Sequence, residues 1–338
     1  MKTITELEDF MSAPSDELVK DIQQVDGDIM ILGVSGKMGP TLAKMTKRAI
    51  DRAGVPKRVI GVARFSDESL IEELEGFGIE TIKADLLKEE ALQSLPDVKN
   101  IIYMAGNKFG TVGNEHYTWG MNAYLPGRVA EKFKNSRIVA FSTGNVYPFT
   151  TVSSNDCTED IPPNPVGEYA QSCLGRERVL TYFSHKHQTP MVIFRLNYAI
   201  DMRYGVLLEI AKQVYNSTPI DLTMGNVNVI WQGDANEYAI RSLLHTDHPP
   251  TILNVTGPET LSVRWLAKEF GKRMKKDPIF VNSENPTALL NNASNAHKLF
   301  GYPKVTIQQM IDMIAEWVVS DGHTLNKPTH FQEREGAF

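Results

Sequence analysis

Three glycines are spaced so that the chain around them can bind a phosphate group. Gly33, Gly36 and Gly39 follow an apolar run at 28–32 and precede a helical pattern at 40–53. Gly33 permits a tight turn out of a strand, Gly36 lets backbone amides approach a pyrophosphate, and Gly39 lets the helix lie close to the sheet. An ordinary turn without a ligand is the alternative. We assign to a dinucleotide phosphate site, at the positive end of the helix dipole, the residues Gly33, Ser35, Gly36, Lys37, Met38 and Gly39.

The residue at the end of the second predicted strand bears on which dinucleotide is preferred. Sheets that bind NAD usually place an acidic residue there, where it accepts hydrogen bonds from the adenosine ribose. This chain has Arg64, whose guanidinium can pair with a 2′-phosphate, and Lys37 is expected to add a second positive charge near that phosphate. Charge complementarity therefore favours NADP as the cofactor. In the alternative, Arg64 is solvated, Asp67 reaches the ribose, and the cofactor is NAD.

The elements that must position these residues alternate between strand and helix along the chain. After an amphipathic segment at 4–25, apolar runs predict strands at 28–32, 58–63, 81–85, 100–105, 136–142 and 191–196. Helical patterns lie between these strands, at 40–53, 68–77, 89–95, 119–135 and 168–185. This order predicts an α/β fold with a doubly wound parallel sheet, the Rossmann arrangement, whose ligands bind beyond the carboxyl ends of the strands. We therefore add to the cofactor site Asp85 and Leu86 after the third strand, and Ala105 and Gly106 after the fourth.

The second half of the chain predicts a smaller and mostly helical lobe. Helical patterns lie at 262–275 and 306–319, and a strand pattern lies at 251–255. We divide the chain into an N-terminal helical extension, a dinucleotide-binding domain, a substrate-binding lobe that returns a strand to the main sheet, and a polar tail, at 1–27, 28–200, 201–321 and 322–338. The tail is expected to be held loosely.

Composition excludes several classes of function. The 338 residues carry a net charge of −6 and no basic tract, which argues against a nucleic-acid partner. Two cysteines are too few for a disulfide framework or a zinc cage, so we predict no metal site and a reducing compartment. No stretch reaches the roughly 20 apolar residues that cross a bilayer, and the amino terminus lacks a signal-peptide pattern. We therefore expect a cytoplasmic protein without a membrane partner.

Several short motifs occur in the same order as in a known family. They are FSTGNVY at 141–147, EDIPPNP at 159–165, Tyr169 in YAQSC, Asn122 in MNAY, and the glycine loop. Together they resemble the extended short-chain dehydrogenase/reductase family, in its NAD-dependent epimerase/dehydratase group, over about 28–200. The resemblance implies hydride transfer between a nicotinamide cofactor and a sugar or sugar derivative. It also implies a homodimer formed through the helices at 119–135 and 168–185.

The resemblance assigns roles to particular residues. Thr143 matches the Ser or Thr that hydrogen-bonds the reacting oxygen, Tyr169 matches the general acid or base, and Leu196 falls in the segment that approaches the nicotinamide. A phenol with an ordinary pKa near 10 moves protons poorly at neutral pH. Members of the family therefore carry a lysine one helical turn after the tyrosine, whose charge favours the phenolate and which also holds the ribose.

This chain has Cys173 at the position of that lysine. A cysteine cannot lower the pKa of the phenol by charge, so three interpretations stay open. Thr143 and Tyr169 act alone and slowly; or Lys108, after the fourth strand, supplies the charge; or turnover is lost and the protein is an NADP-binding sensor or regulatory protein. A second departure is Asn197, which falls one place earlier than the family's asparagine and predicts an altered substrate pocket.

Overall fold

The computed structural model describes residues 1–108 and 110–337. Its strands are β1 (Ile29–Leu32), β2 (Val59–Ala63), β3 (Glu80–Lys83), β4 (Asn100–Tyr103), β5 (Arg137–Thr143), β6 (Thr150–Thr151), β7 (Met191–Leu196), β8 (Ala199–Ile200), β9 (Ile220–Asp221), β10 (Asn226–Val227), β11 (Ile230–Trp231), β12 (Thr251–Val255), β13 (Leu261–Ser262), β14 (Phe280–Val281) and β15 (Thr287–Ala288). Its α-helices are α1 (Ile4–Met11), α2 (Asp16–Gln24), α3 (Gly39–Ala53), α4 (Ser69–Gly76), α5 (Glu89–Gln93), α6 (Glu115–Trp119), α7 (Leu125–Lys132), α8 (Gly167–His187), α9 (Val206–Tyr215), α10 (Gln232–Arg241), α11 (Val263–Met274), α12 (Ser294–Phe300) and α13 (Ile307–Val319).

Seven parallel strands form the central sheet, in the order β12-β7-β5-β4-β1-β2-β3. The first strand lies between β2 and β4, with Ile29 opposite Val59 on one side and Asn100 on the other. The chain runs outward from β1 to β2 and β3 and then crosses back to β4 on the other side of β1, so a cleft opens at the carboxyl end of β1, where the glycine loop follows. The predicted doubly wound parallel sheet with a mostly helical C-terminal lobe is confirmed.

The edge of the sheet is completed by a strand from the second half of the chain. Strand β12 pairs with β7 in parallel, from Thr251 opposite Val192 to Val255 opposite Leu196. Apolar clusters cover both faces of the sheet, and a separate cluster fills the C-terminal lobe. The lobe is therefore joined to the sheet through shared backbone pairing as well as through side-chain packing.

Two helical predictions differ from the structure. The segment expected at 4–25 is split into α1 and α2, because Ser15 accepts a hydrogen bond from the Leu18 amide and starts a new helix just after Pro14. The helix expected at 119–135 is divided into α6, a π-helical turn at Gly120–Tyr124 and α7. Such turns are often found at functional sites.

The C-terminal tail is packed against the lobe, contrary to the expectation of a loose segment. Phe331 is fully buried, and Thr329 is 1% exposed. The Thr329 hydroxyl donates a hydrogen bond of 2.7 Å to Glu209 on α9. The ring of Phe331 anchors an otherwise polar stretch, so the composition of the tail does not indicate that it is packed. Within the described residues, no helix is long and apolar enough to cross a membrane.

Candidate cofactor and active site

The glycine loop has the geometry of a phosphate cradle. Gly33 has φ +91°, and a Cβ there would lie 2.7 Å from the Ala105 amide nitrogen, so the loop passes close to the end of β4. A Cβ on Gly39 would overlap the Val34 carbonyl, which explains how α3 begins so close to the sheet. A Cβ on Gly36 would have only the Gly33 carbonyl oxygen within 4 Å, so that face of the loop is open. Helix α3 has no side-chain cap. The Gly39 N–H donates to the Gly36 carbonyl, and Pro40 has no N–H. The amides of Lys37 and Met38, at the positive end of the helix dipole, can therefore receive a pyrophosphate.

Two cavities lie on either side of this loop. The Tyr169 cavity has a volume of about 430 Å³, and the Arg64 cavity has a volume of about 350 Å³. Residues lining both are Gly33, Gly36, Met104, Gly106 and Lys327. The predicted residues on the Tyr169 cavity are Lys37, Met38, Lys108, Thr143, Tyr169 and Leu196. Those on the Arg64 cavity are Ser35, Arg64, Asp85, Leu86 and Ala105. Gly39 lines neither cavity, and its part is the close packing of α3.

Arg64 and Asp67, which follow β2, have different surroundings. Arg64 is exposed on its cavity and donates a hydrogen bond of 3.3 Å to the Tyr117 hydroxyl. The Asp67 carboxylate accepts hydrogen bonds from the hydroxyl and the amide of Ser69, at 2.7 and 3.0 Å, and these bonds lower the pKa of Asp67. Asp67 is thus engaged at the start of α4 and does not line the Arg64 cavity. Asp85 lines that cavity and accepts a hydrogen bond from the Leu87 amide.

Lys37 does not join Arg64, which corrects the expectation that the two charges meet at one phosphate. Its ammonium donates a hydrogen bond of 2.8 Å to the Ala199 carbonyl and lies 4.2 Å from the centroid of the Tyr204 ring. Burial lowers the pKa of Lys37 to about 8, although Asp201 opposes this effect. The segment after β7 draws this side chain towards the Tyr169 cavity, and the local sequence around Lys37 gives no sign of that distant acceptor.

Asn122 connects the loop after β4 to the helix that carries Tyr169. Its side-chain oxygen accepts from the Asn107 amide at 2.8 Å, and its side-chain nitrogen donates to the Asn107 carbonyl at 2.7 Å and to the Ser172 hydroxyl at 3.0 Å. The π-helical turn described above carries this asparagine. Lys108 follows Asn107 in the chain, so these bonds also fix the position of the backbone from which Lys108 extends.

Tyr169 and Thr143 come together at the end of β5. Thr143 and Cys173 lie close enough to Tyr169 to influence its pKa, and the Thr143 hydroxyl donates to the Asn145 side-chain oxygen at 3.0 Å. Burial raises the pKa of Tyr169 above its ordinary value, and the nearby Cys173 raises it further. Cys173 is fully buried, and burial raises its own pKa as well. At neutral pH the phenol is therefore protonated, and it is a weaker acid than an ordinary phenol.

Two cations lie near Tyr169 in place of the missing lysine. The Lys108 ammonium lies 6.0 Å from the centroid of the Tyr169 ring, and burial lowers its pKa to about 8. Arg176, one turn beyond Cys173 on α8, donates to the Phe141 carbonyl at 2.6 Å and to Asn122 at 2.8 Å. Its charge opposes the upward shift in the pKa of Tyr169. Arg176 could not be recognised from the sequence, because a buried arginine resembles a solvated one until its partners are known.

Asn197 is a further polar group on the Tyr169 cavity. It is 1% exposed, and its side-chain nitrogen has no hydrogen-bond partner among the described residues. Buried polar atoms are nearly always satisfied, so a donor of this kind beside a cavity is suited to a ligand. Asn197 is also the residue whose earlier position in the sequence predicts an altered substrate pocket.

A buried network supports the strand that carries Thr143. The Glu177 carboxylate accepts from the Ser142 hydroxyl at 2.5 Å and from Arg195 at 2.6 and 3.0 Å. Arg195 donates a further bond of 2.6 Å to the Tyr147 hydroxyl, and that hydroxyl donates to Asn254 at 2.9 Å. Strands β5, β7 and β12 are thereby tied together directly behind the Tyr169 cavity. The part of the chain that the structure describes contains no cluster of three or more His, Cys, Asp or Glu suited to a metal ion.

Comparison with solved structures shows the same fold in sugar-nucleotide epimerases. The UDP-glucose 4-epimerase of Thermus thermophilus, in complex with NAD, is 16% identical, with a TM-score of 0.69 over 86% of this chain and 98% of that one. The UDP-glucuronic acid 4-epimerase of Bacillus cereus, in complex with UDP-glucuronic acid and NAD, is 18% identical, with a TM-score of 0.69 over 86% and 99%. An epimerase of Methanothermobacter thermautotrophicus is 19% identical, with a TM-score of 0.72 over 90% and 96%.

The sequence itself carries the family assignment. Curated proteins show no match to the chain. The model of the NAD dependent epimerase/dehydratase family matches residues 29–200, which include the glycine loop, Thr143 and Tyr169. This match confirms the resemblance drawn from the motifs, and the chain belongs to the NAD-dependent epimerase/dehydratase family.

Proposed function

We propose that the protein is an NAD(P)-dependent oxidoreductase or epimerase that acts on a sugar or sugar derivative by hydride transfer. The observation that carries this proposal is that Tyr169 and Thr143 line the same cavity as Gly33 and Gly36 of the glycine loop. Two of the solved neighbours named above bind NAD, and one of these two also binds UDP-glucuronic acid. A nicotinamide bound beside the pair supplies the hydride acceptor and donor.

The chain's own residues hold the reacting oxygen and move its proton. The Tyr169 hydroxyl donates a proton to a carbonyl oxygen of the substrate in reduction, and the Tyr169 phenolate receives a proton from a substrate hydroxyl in oxidation. Thr143 orients that oxygen through its own hydroxyl. The positive charges of Lys108 and Arg176 favour the phenolate that each proton donation leaves behind. Together they take over the electrostatic part of the role that the family's lysine performs.

We further propose that different segments of the chain bind the cofactor and the substrate. Residues 28–200, together with β12, hold the cofactor, and the remainder of 201–321 covers the substrate. The extension at 1–27 supports both parts, because Glu8 pairs with Lys44 on α3 at 2.8 Å and with Arg203 at 2.9 Å.

The test of the function combines cofactor binding with turnover. Binding is followed by the fluorescence of NADH and NADPH, and turnover by NAD(P)H absorbance or product analysis on a panel of free and nucleotide-linked sugars. We expect both binding and turnover. Binding without turnover, in the native chain and in Cys173→Lys alike, would contradict catalysis and favour the alternative of a cofactor-binding sensor.

Replacing Arg64 is expected to change the choice between the two cofactors. In Arg64→Ala the Kd for NADPH rises about tenfold or more, because a charge-assisted contact to the 2′-phosphate contributes about 1.5–3 kcal/mol. The Kd for NADH stays within twofold. The matched control is Arg58→Ala, at the opposite end of the same strand, where the guanidinium pairs with Asp28 at 2.9 Å. Equal weakening of both cofactors in Arg64→Ala would argue against a 2′-phosphate contact.

Replacing Lys108 is expected to slow the reaction most at neutral pH. With a pKa of about 8, Lys108 is charged below pH 8, and its support of the phenolate is lost as the pH rises through that value. In Lys108→Met the rate at pH 7 falls about tenfold or more, since a nearby opposite charge shifts a pKa by one unit or more. The loss narrows above pH 9, where native Lys108 is also neutral. Lys268→Met, at an exposed position on α11, is the control. A loss that is constant from pH 6 to 10 would contradict the charge effect.

A further inference from the structure

The C-terminal tail, residues 323–337, crosses the substrate side of the Tyr169 cavity. At its start the His323 carbonyl accepts a hydrogen bond of 3.0 Å from the Trp317 indole, and the Leu325 amide donates to the Arg203 carbonyl at 3.0 Å. Thr329 then binds Glu209 on α9 through both its amide and its hydroxyl, and Phe331 is fully buried in the lobe. Lys327 and Thr329 themselves line the cavity. The tail is therefore part of the cavity wall.

The end of the tail reaches the helix that carries Tyr169. The Arg334 guanidinium donates to the carbonyl and hydroxyl oxygens of Thr287, at 2.8 and 2.7 Å, and lies 4.3 Å from the centroid of the Phe149 ring. Gly336 packs on Gly167, the first residue of α8, so closely that a Cβ on Gly336 would lie 2.5 Å from the Gly167 Cα. The tail thus spans from the lobe to the cofactor-binding half.

The tail fills a space that would otherwise extend the cavity. Asn145 and Tyr198 line the Tyr169 cavity and also a residual space of only about 20 Å³, whose other wall includes Arg334 and Gly336. The cavity therefore ends at Asn145 and Tyr198, with about 430 Å³ on its open side. Pockets for ligands of drug size measure about 300–1,000 Å³, and this one must also receive the nicotinamide end of the cofactor. The remaining volume suits a small molecule.

We propose that the tail determines substrate specificity: it restricts the enzyme to a sugar or sugar derivative that carries no nucleotide. The inference rests on the proposed function, which supplies the sugar and the cofactor. A nucleoside diphosphate attached to the sugar needs room beyond the reacting ring, and Arg334 and Gly336 occupy the continuation of the cavity. Substrates with a free or singly substituted sugar ring fit the enclosed volume.

The test displaces the end of the tail in the full-length chain. The variant is the double substitution Arg334→Ala with Gly336→Val, which removes the contacts to Thr287 and makes the contact with Gly167 sterically impossible. Glu335→Ala, at an exposed position between them, is the matched control. Binding of UDP-glucose is measured by calorimetry with and without NAD, binding of NAD and of NADP is measured separately, and thermal melting checks that each protein is folded.

The native chain and Glu335→Ala are expected to bind NAD and to bind UDP-glucose weakly or not at all. The double variant is expected to bind UDP-glucose at least about tenfold more tightly, a difference of about 1.4 kcal/mol, with NAD binding unchanged. If the native chain and the double variant bind UDP-glucose with the same affinity, or if neither binds it detectably, the proposed role of the tail is wrong. Tight binding by the native chain overturns it even if the double variant does not fold. Failure of the native chain to bind either NAD or NADP overturns the proposed function instead, and the UDP-glucose comparison without cofactor still decides the role of the tail.

Discussion

Tyr169→Phe is expected to lower kcat/KM about 10²–10⁴-fold at pH 7. The change removes one oxygen atom, and with it the only group we assign to move the substrate's proton, a contribution that is typically of this size. The ring and its packing in α8 are kept. Because burial raises the pKa of Tyr169, the native rate of oxidation is also expected to increase with pH, as the phenolate becomes more populated. Steady-state rates between pH 6 and 10 measure both effects.

The control for this change is another tyrosine on the same helix. Tyr182 is 60% exposed, and Tyr182→Phe should leave kcat/KM within twofold of the native value. NADH binding to Tyr169→Phe should also stay close to native, because the backbone of the glycine loop is unaffected. If Tyr169→Phe retained a third or more of the native kcat/KM, the proton would have to move through a different group.

Glu177→Gln is expected to lower the free energy of unfolding by about 3–5 kcal/mol. Both partners of the Glu177–Arg195 pair are 3% exposed in their side chains, and removing one charge leaves the other buried without compensation. The substitution also weakens the acceptor for the Ser142 hydroxyl, next to Thr143. Urea unfolding, followed by tryptophan fluorescence and circular dichroism, measures the change through the shift in midpoint.

An exposed pair provides the comparison. Glu68 and Lys83 form an ion pair at 2.6 Å in which both side chains are more than half exposed, so Glu68→Gln should leave the urea midpoint close to that of the native chain. Similar losses in Glu177→Gln and Glu68→Gln would show that the buried network contributes no more than a surface pair. Parallel loss of activity in Glu177→Gln at temperatures where it is fully folded would indicate that the network also positions Thr143.

The central sheet could be predicted from sequence because its strands are buried on both faces. Such strands read as continuous apolar runs, and the central strand β7 has the predicted bounds. Of the two edge strands, β12 has a buried second half and also has the predicted bounds, whereas β3 is exposed or partly exposed throughout and ends at Lys83 rather than at 85. The glycine loop was recognisable for a similar reason: its spacing reflects local backbone geometry, which sequence records directly.

What could not be predicted depends on contacts between distant segments. Lys37 turns towards the carbonyl of Ala199, 162 residues away, and Arg176 is held by Phe141 and Asn122. The tail is held by Phe331 and Arg334, which are single residues in a polar stretch. None of these partners leaves a periodic pattern, because each interaction is made by one side chain with one site elsewhere in the fold. The motif analysis identified Tyr169 and Thr143 as candidates and could not show what surrounds them.

The position of β12 at the edge of the sheet bears on how the chain folds as it is synthesised. Strands β1 to β7 are complete at Leu196, but the partner of β7 begins only at Thr251, after a further 54 residues. At ribosomal rates of about 5–20 residues per second, the edge of β7 waits about 3–11 s for its partner. During that interval the edge of β7 is unpaired, so we expect the nascent sheet to need protection from aggregation at this apolar strand. A fragment that ends near residue 200 would keep that edge permanently exposed and should aggregate.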